Sequence, residues 1–226
     1  MKIKRLTLYT NTLEAEKIFY TDTLGFKTIE SSDQQFTVKV GWTELTFRLS
    51  DRKHTYHYCF LIPANQLKEA LVWVASRTDI VSIEGHRTIQ NFETWNADAF
   101  YFYDASGNIA ECIVRYDLMN ESVEAFDLDQ MLCINEIGLP TNDIVKTNAQ
   151  LKQEIGSDYW KGNTHRFGTN GDQEGLLLLA NYDVKKEWFP TETKIIPEPF
   201  NVVIEHNNKM TELLVNEGSL HFSRVH

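Results

Sequence analysis

His57 and Glu111 combine useful chemistry with a setting that gives it a role. Glu111 lies in the run Ile109-Ala110-Glu111-Cys112-Ile113, an apolar strand pattern, where an unpaired buried carboxylate is costly. His57 opens a second apolar run, His57-Tyr58-Cys59-Phe60-Leu61. Imidazole and carboxylate are both good donors to a divalent metal. A lone histidine on a strand is more often a satisfied core or surface residue than a ligand, so the plainer reading stands beside this one. His54 reads as a loop residue beside His57. Cys59 has no base next to it in sequence, and packing explains it better than nucleophilic catalysis. Gly171-Asp172-Gln173-Glu174-Gly175 reads as a turn, because no helix start follows it to make a phosphate site. No phosphate loop, dinucleotide fingerprint, zinc cysteine pair or serine nucleophile motif occurs.

The elements that must position these residues recur as a weak internal repeat. Three times an alternating strand runs into a short amphipathic helix: 3–10 then 12–23, 57–63 then 65–76, and 132–140 then 142–155. Asn11 is the expected cap of the first helix, with Glu14 three residues on, Ala15, Ile18 and Phe19 inward, and Gly25 ending it. Leu67, Ala70, Leu71 and Val74 face inward from the second, and Ile144, Leu151 and Ile155 from the third. Short β segments follow each helix: 26–30, 35–40 and 44–49, then 99–103 and 109–115, then 164–168 and 176–180. A fourth, partial copy is expected at 200–205, with a helix near 209–215 and a strand near 220–225. The fold class is therefore α+β: repeated βαβββ modules forming cupped mixed sheets with helices packed outside. The polar, acidic stretch 117–128 reads as a linker between a paired-module domain at 1–116 and a degenerate second domain at 129–226.

Composition narrows the function. The 226 residues carry a formal net charge of -10 with no basic cluster, which argues against nucleic acid and against an anionic membrane surface. No apolar run approaches a bilayer span, and Met1-Lys2-Ile3-Lys4-Arg5 is not followed by the apolar stretch of a signal peptide. Three scattered cysteines in apolar runs point to buried thiols and a cytoplasmic location.

Several stretches taken in order resemble the vicinal oxygen chelate superfamily of glyoxalases, bleomycin-resistance proteins and extradiol dioxygenases. The opening is Leu6-Thr7-Leu8-Tyr9-Thr10, then Leu13 to Tyr20, then Leu24-Gly25-Phe26. Asp104-Ala105-Ser106-Gly107-Asn108-Ile109-Ala110-Glu111 is similar to the family's Asp-Pro-x-Gly-Asn-x-x-Glu ending, and His57-Tyr58-Cys59-Phe60 to its central strand. The C-terminal part matches less, through Gly171-Asp172, Gly175-Leu176-Leu177 and Trp188-Phe189-Pro190. The competing expectation is an unrelated ferredoxin-like sandwich.

The resemblance implies a metal or ligand site in the sheet cup with positions Arg5, Thr46, His57 and Glu111. Strand alternation puts Arg5, Thr7 and Tyr9 on the cup side with His57 and Cys59, while Leu6, Leu8, Tyr58, Phe60 and Ile62 face away. Arg5 cannot ligate, since its guanidinium stays protonated and has no free lone pair, and Thr46 is a poor neutral donor. Two readings follow. In the first, the cup binds a small anionic or polar molecule without metal. Arg5, Thr7, Tyr9, Thr46, Arg48, His57 and Cys59 line it, near Phe47 or Trp42, and Arg5 supplies the metal's charge opposite Glu111. In the second, a metal-dependent lyase or ring-cleaving dioxygenase holds a divalent ion on His57 and Glu111 with a third donor, and Glu111 is catalytic. Glu136 falls at the third module's equivalent of the first-strand ligand position, but its spacing from His165 is too loose to favour a separate site built on the two. A small molecule is the expected partner, and the resemblance allows a homodimer.

Overall fold

The computed structural model describes residues 1–225 and consists mainly of two mixed, curled sheets. The first module runs β1 (Lys2–Thr10), α1 (Leu13–Ile18) continued by a π turn (Phe19–Thr23), β2 (Thr28–Ser31), β3 (Gln35–Val40) and β4 (Thr43–Leu49). The second runs β5 (His57–Leu61), α2 (Leu67–Ala75), β6 (Gln90–Phe92), β7 (Ala97–Tyr103) and β8 (Ile109–Arg115). The third runs β9 (Cys133–Thr141), α3 (Ile144–Glu154), β10 (Tyr159–Asn163), β11 (Phe167–Asp172) and β12 (Gly175–Asn181). The last is three strands, β13 (Phe200–His206), β14 (Lys209–Asn216) and β15 (Ser219–Val225).

The modules pair differently from the expected 1–116 and 129–226 halves. One sheet has the order β15-β14-β13-β1-β4-β3-β2 and joins the first module to the last through the antiparallel pair β1 and β13. The other has the order β10-β11-β12-β9-β5-β8-β7-β6 and joins the second to the third through β5 and β9. Each half of the chain thus contributes strands to both sheets. Inside each module the first and last strands run parallel, as β1 with β4, β5 with β8 and β9 with β12.

The main core gathers the helix-facing side chains of both sheets, among them Leu6, Leu8, Tyr58, Phe60, Phe102 and Leu177, with Ala70, Val74 and Leu151 from the helices. Burying this apolar surface is the dominant favourable term in folding. A second, smaller core of Cys59, Leu61, Ala99, Tyr101, Ile109, Ile113 and Trp188 lies on the opposite face of the second sheet. Period-two alternation along β5 and β8 divides their residues between the two cores.

Four local expectations need correction. The segment 209–215 is strand, not helix: Thr211, Leu213 and Val215 are buried at period two, and β14 lies between β13 and β15. Thr12, not Asn11, stands at the start of α1 and makes no side-chain cap. The buried residues of that segment are Glu16 and Tyr20, while Ala15 and Ile18 are exposed, because the Glu16 carboxyl turns inward to accept a hydrogen bond from Ser106 Oγ at 2.8 Å. The expected strand at 164–168 straddles the turn between β10 and β11.

Candidate functional site

The second sheet brings together three donors from three strands. His57 opens β5, Glu111 is central in β8, and Glu136 lies in β9. The parallel register sets Cys59 opposite Glu111, and the β5–β9 register sets Cys59 opposite Glu136, so both carboxylates flank one strand. A nitrogen of His57 and one oxygen from each carboxylate lie within 4.8 Å of one another, and all three residues are buried.

Glu136 owes its direction to a β-bulge. Between Cys59 and Phe60 the partner register jumps from Glu136 to Ile134, leaving Asn135 extra. A bulge re-aims the side chains around it. Here Asn135 Oδ1 accepts from Arg115 Nε at 2.9 Å, and Glu136 accepts from another nitrogen of the same guanidinium. Arg115, at the end of β8, is 0% exposed, and its Nη1 has no partner. Burial pushes the Glu136 carboxyl up to about 7, against the pull of the Arg115 charge. Burial raises the Cys59 thiol well above its ordinary value, with the Glu111 charge adding to it, which leaves no thiolate for nucleophilic work.

The His57 tautomer follows from its neighbours. Nδ1 lies 3.2 Å from the Ile109 carbonyl, which only accepts, so Nδ1 carries a hydrogen. Nε2 lies 3.2 Å from a Glu111 oxygen. A neutral imidazole would set its lone pair against a carboxylate there, and a proton or a cation between them resolves the clash. A histidine anchored through Nδ1 on a backbone carbonyl with Nε2 facing carboxylates is a usual arrangement for metal ligands. One imidazole and two carboxylates suit a divalent first-row ion, and the residues present fit one.

The donors line a cavity of about 320 Å³ together with Phe92, Trp95, Tyr101, Ile113, Phe167, Leu178, Trp188 and Phe189. Trp188 sits 5.3 Å from the His57 ring and Phe189 packs edge-on to Tyr101 at 5.8 Å. Both belong to the segment 182–199 between β12 and β13, which folds back through the Trp188 N–H to the Thr193 carbonyl at 2.9 Å.

No family model matches the sequence, and no curated protein matches it. Solved structures do. A candidate dioxygenase from Bacillus subtilis superposes with a TM-score of 0.60 at 14% identity, over 98% of this chain and 84% of that one. The fold is that of the vicinal oxygen chelate superfamily. A glyoxalase I mutant from Zea mays has the same fold, with a TM-score of 0.53 at 12% identity over 96% of this chain and 89% of that one. At these identities the likeness is one of fold.

Within the vicinal oxygen chelate fold the expected site residues divide between two cups. His57 and Glu111 meet as expected, but Arg5, Thr7, Thr46 and Arg48 lie on the first sheet, around a separate polar hollow of about 270 Å³ with Glu44, Asn201 and Glu212. Arg5 therefore does not stand opposite Glu111. The module pairing moves it away, since β1 takes β13 as neighbour, not β5. Arg48 is held by Gln35 at 2.9 Å, and Thr46 by Thr37 at 2.8 Å. Tyr9 packs near His54, with ring centroids 6.1 Å apart, and Phe47 is in the main core. Trp42 packs at the edge of the smaller core, under the Lys2 ammonium. Cys59 is on the same face as the donors but fully buried between them. His54 is buried, with Nδ1 2.7 Å from Glu198.

Glu136 joins His57 and Glu111; His165 is exposed in the turn before β11. The repeat signal had marked its position, but not which module it would face. Arg115 was missed, although it continues the period-two series Ile109, Glu111, Ile113. The aromatic lining carries no sequence signal, because Phe92, Trp95, Trp188 and Phe189 come from short or irregular segments. No described helix is long and apolar enough to cross a membrane.

Proposed function

We propose that this cavity holds a divalent metal ion on His57, Glu111 and Glu136 and acts there on a small, largely apolar molecule, as a metal-dependent lyase or oxygenase does. The observation that carries the reading is the donor triad itself: three ligating atoms within 4.8 Å of one another, buried, in the wall of a cavity lined mostly by aromatic rings. Bound there, the metal would supply Lewis-acid polarisation of a substrate oxygen. The protein's share is orientation and exclusion of water. Ile109 fixes the His57 ring through Nδ1, Arg115 and the bulge hold Glu136, and Trp188 and Phe189 cover the apolar space. The two carboxylates and single imidazole give a harder donor set than the two-histidine, one-carboxylate triad of non-haem iron oxygenases. That difference favours lyase or isomerase chemistry over dioxygen chemistry.

A second reading has its own observation. The Arg115 guanidinium already supplies a fixed positive charge against Glu136, so the cavity could bind its ligand without metal. Metal analysis by mass spectrometry after loading with manganese, iron, nickel or zinc separates the two. The metal reading expects about one ion per chain, reduced at least tenfold in affinity in His57→Ala and in Glu136→Gln, consistent with the loss of a ligand. Failure of the folded, loaded protein to retain any of these ions supports the metal-free reading.

A further inference from the structure

The cavity lining holds two charged side chains outside the donor triad, Arg166 and Lys185. The β11–β12 hairpin brings them together: Phe167 pairs with Ala180, the Asn181 N–H donates to the Arg166 carbonyl at 3.1 Å, and the Lys185 N–H donates to the Asn181 carbonyl at 2.7 Å. Among the described residues neither side chain takes part in an ion pair, since the ion pairs involve other cations. Lys185 Nζ donates to the Glu187 carbonyl at 2.5 Å, a neutral partner, and lies 5.9 Å from the Phe167 ring centroid. Its ammonium is pulled down to about 8, first by burial and then by the Arg166 charge, with Glu187 opposing. Arg166 and Lys185 face one cavity with no carboxylate within ion-pair distance, the Glu187 charge only partly offsets their repulsion, and an anion between them would relieve it.

We propose that Arg166 and Lys185 form an anion anchor, and that the ligand of this cavity is an aromatic or other flat apolar molecule bearing a carboxylate or similar anionic group at one end. The apolar body lies among Trp95, Phe167, Trp188 and Phe189, and its far end reaches His57, Glu111 and Glu136. The charge pattern fixes the direction of binding. Without a metal, an anionic group at the triad would face Glu111 and Glu136, the Arg115 charge being already taken up by Glu136, whereas at the anchor it faces two cations. Arg166 can offer two parallel donors to a carboxylate, and Lys185 a point charge. The anchor rests on the cavity being the ligand site proposed above, and it is independent of whether a metal is bound there.

The test titrates the full chain, metal-loaded and metal-stripped, with the arylalkanoates from benzoate to 4-phenylbutyrate and with the corresponding neutral amides, by calorimetry. At least one acid is expected to bind tenfold or more tightly than its amide. Arg166→Met and Lys185→Met should each weaken the acid several-fold and leave the amide unchanged. Both residues are at least partly exposed, and unchanged thermal midpoints confirm that the variants fold. Equal affinity for acid and amide, full acid affinity in the double variant, or no binding by any acid at millimolar concentration overturns the anchor. An acid preference that persists in stripped protein, when loading shows no bound ion, sustains the anchor while rejecting the metal reading. Stoichiometric metal with no acid preference does the reverse.

Discussion

At the scale of single residues, the site depends on a buried arginine. Arg115 is fully enclosed and satisfied on only two of its three nitrogens, an expensive placement unless its partners are exact. Removing one member of such a pair strands the other. Arg115→Met should cost about 3 kcal/mol in urea denaturation, and the double variant Arg115→Met, Glu136→Gln should recover part of that loss. Another buried carboxyl lies outside the cavity lining. Glu16 is raised from 4.5 to about 10, by burial first and by the Asp104 charge next. Asp104 itself accepts from Tyr58, from the Ser106 and Asn108 N–H groups and from the Asn108 side chain. The native state therefore holds the Glu16 proton more tightly than the unfolded chain does. Its contribution to stability is present below about 4.5 and is lost as pH rises toward 10. Glu16→Gln should leave stability nearly unchanged at pH 5 and exceed the parent by more than about 1.4 kcal/mol, one unit's worth, at pH 9. Glu111 was legible because it interrupts an apolar run, and His57 because it opens one. Glu16 was not, because a charged residue on a short helix reads as its solvent face.

Elements explain what residue types could not. The first and last strands of the three complete modules were readable from period two, yet the short β6 and β10 and the bulge at Asn135 were not, since a short strand or one extra residue leaves little mark in composition. The 209–215 segment misled for a related reason. Lys209-Met210-Thr211-Glu212-Leu213-Leu214-Val215 satisfies a helical stripe locally, and only pairing with β13 and β15 makes it strand. Close approach between elements also shapes the cavity. A Cβ built on Gly138 in β9 would lie 2.6 Å from the Trp188 ring. Gly138→Ala should displace Trp188 at a cost of about 1–3 kcal/mol, with a weakened near-ultraviolet circular dichroism signal as the readout. Ligand affinity should fall with it, because Trp188 is the ring beside His57.

For the whole molecule, the crossed module pairing means that neither half carries its own sheet to completion. In a chain ending at residue 116, β1 would lose β13 and β5 would lose β9, leaving two apolar strand edges open. That fragment should show no cooperative thermal transition and should aggregate, while co-expression with 129–226 should restore a soluble pair. The number of modules was legible as repetition; their partners were not, because pairing depends on contacts distant in sequence, as Leu61 with Cys133 and Leu6 with Val202, that local periodicity does not encode. The same crossing has a consequence for how such a protein can diversify. The triad stands on interior strands, each clamped by neighbours on both sides, so its geometry tolerates little drift. The covering segment 182–199, with Lys185, Trp188 and Phe189, belongs to no sheet ladder and serves as the strap from one sheet to the other. Its residues can be exchanged without rebuilding the floor beneath, so one chemistry could be offered to new molecules by rewriting a single strap.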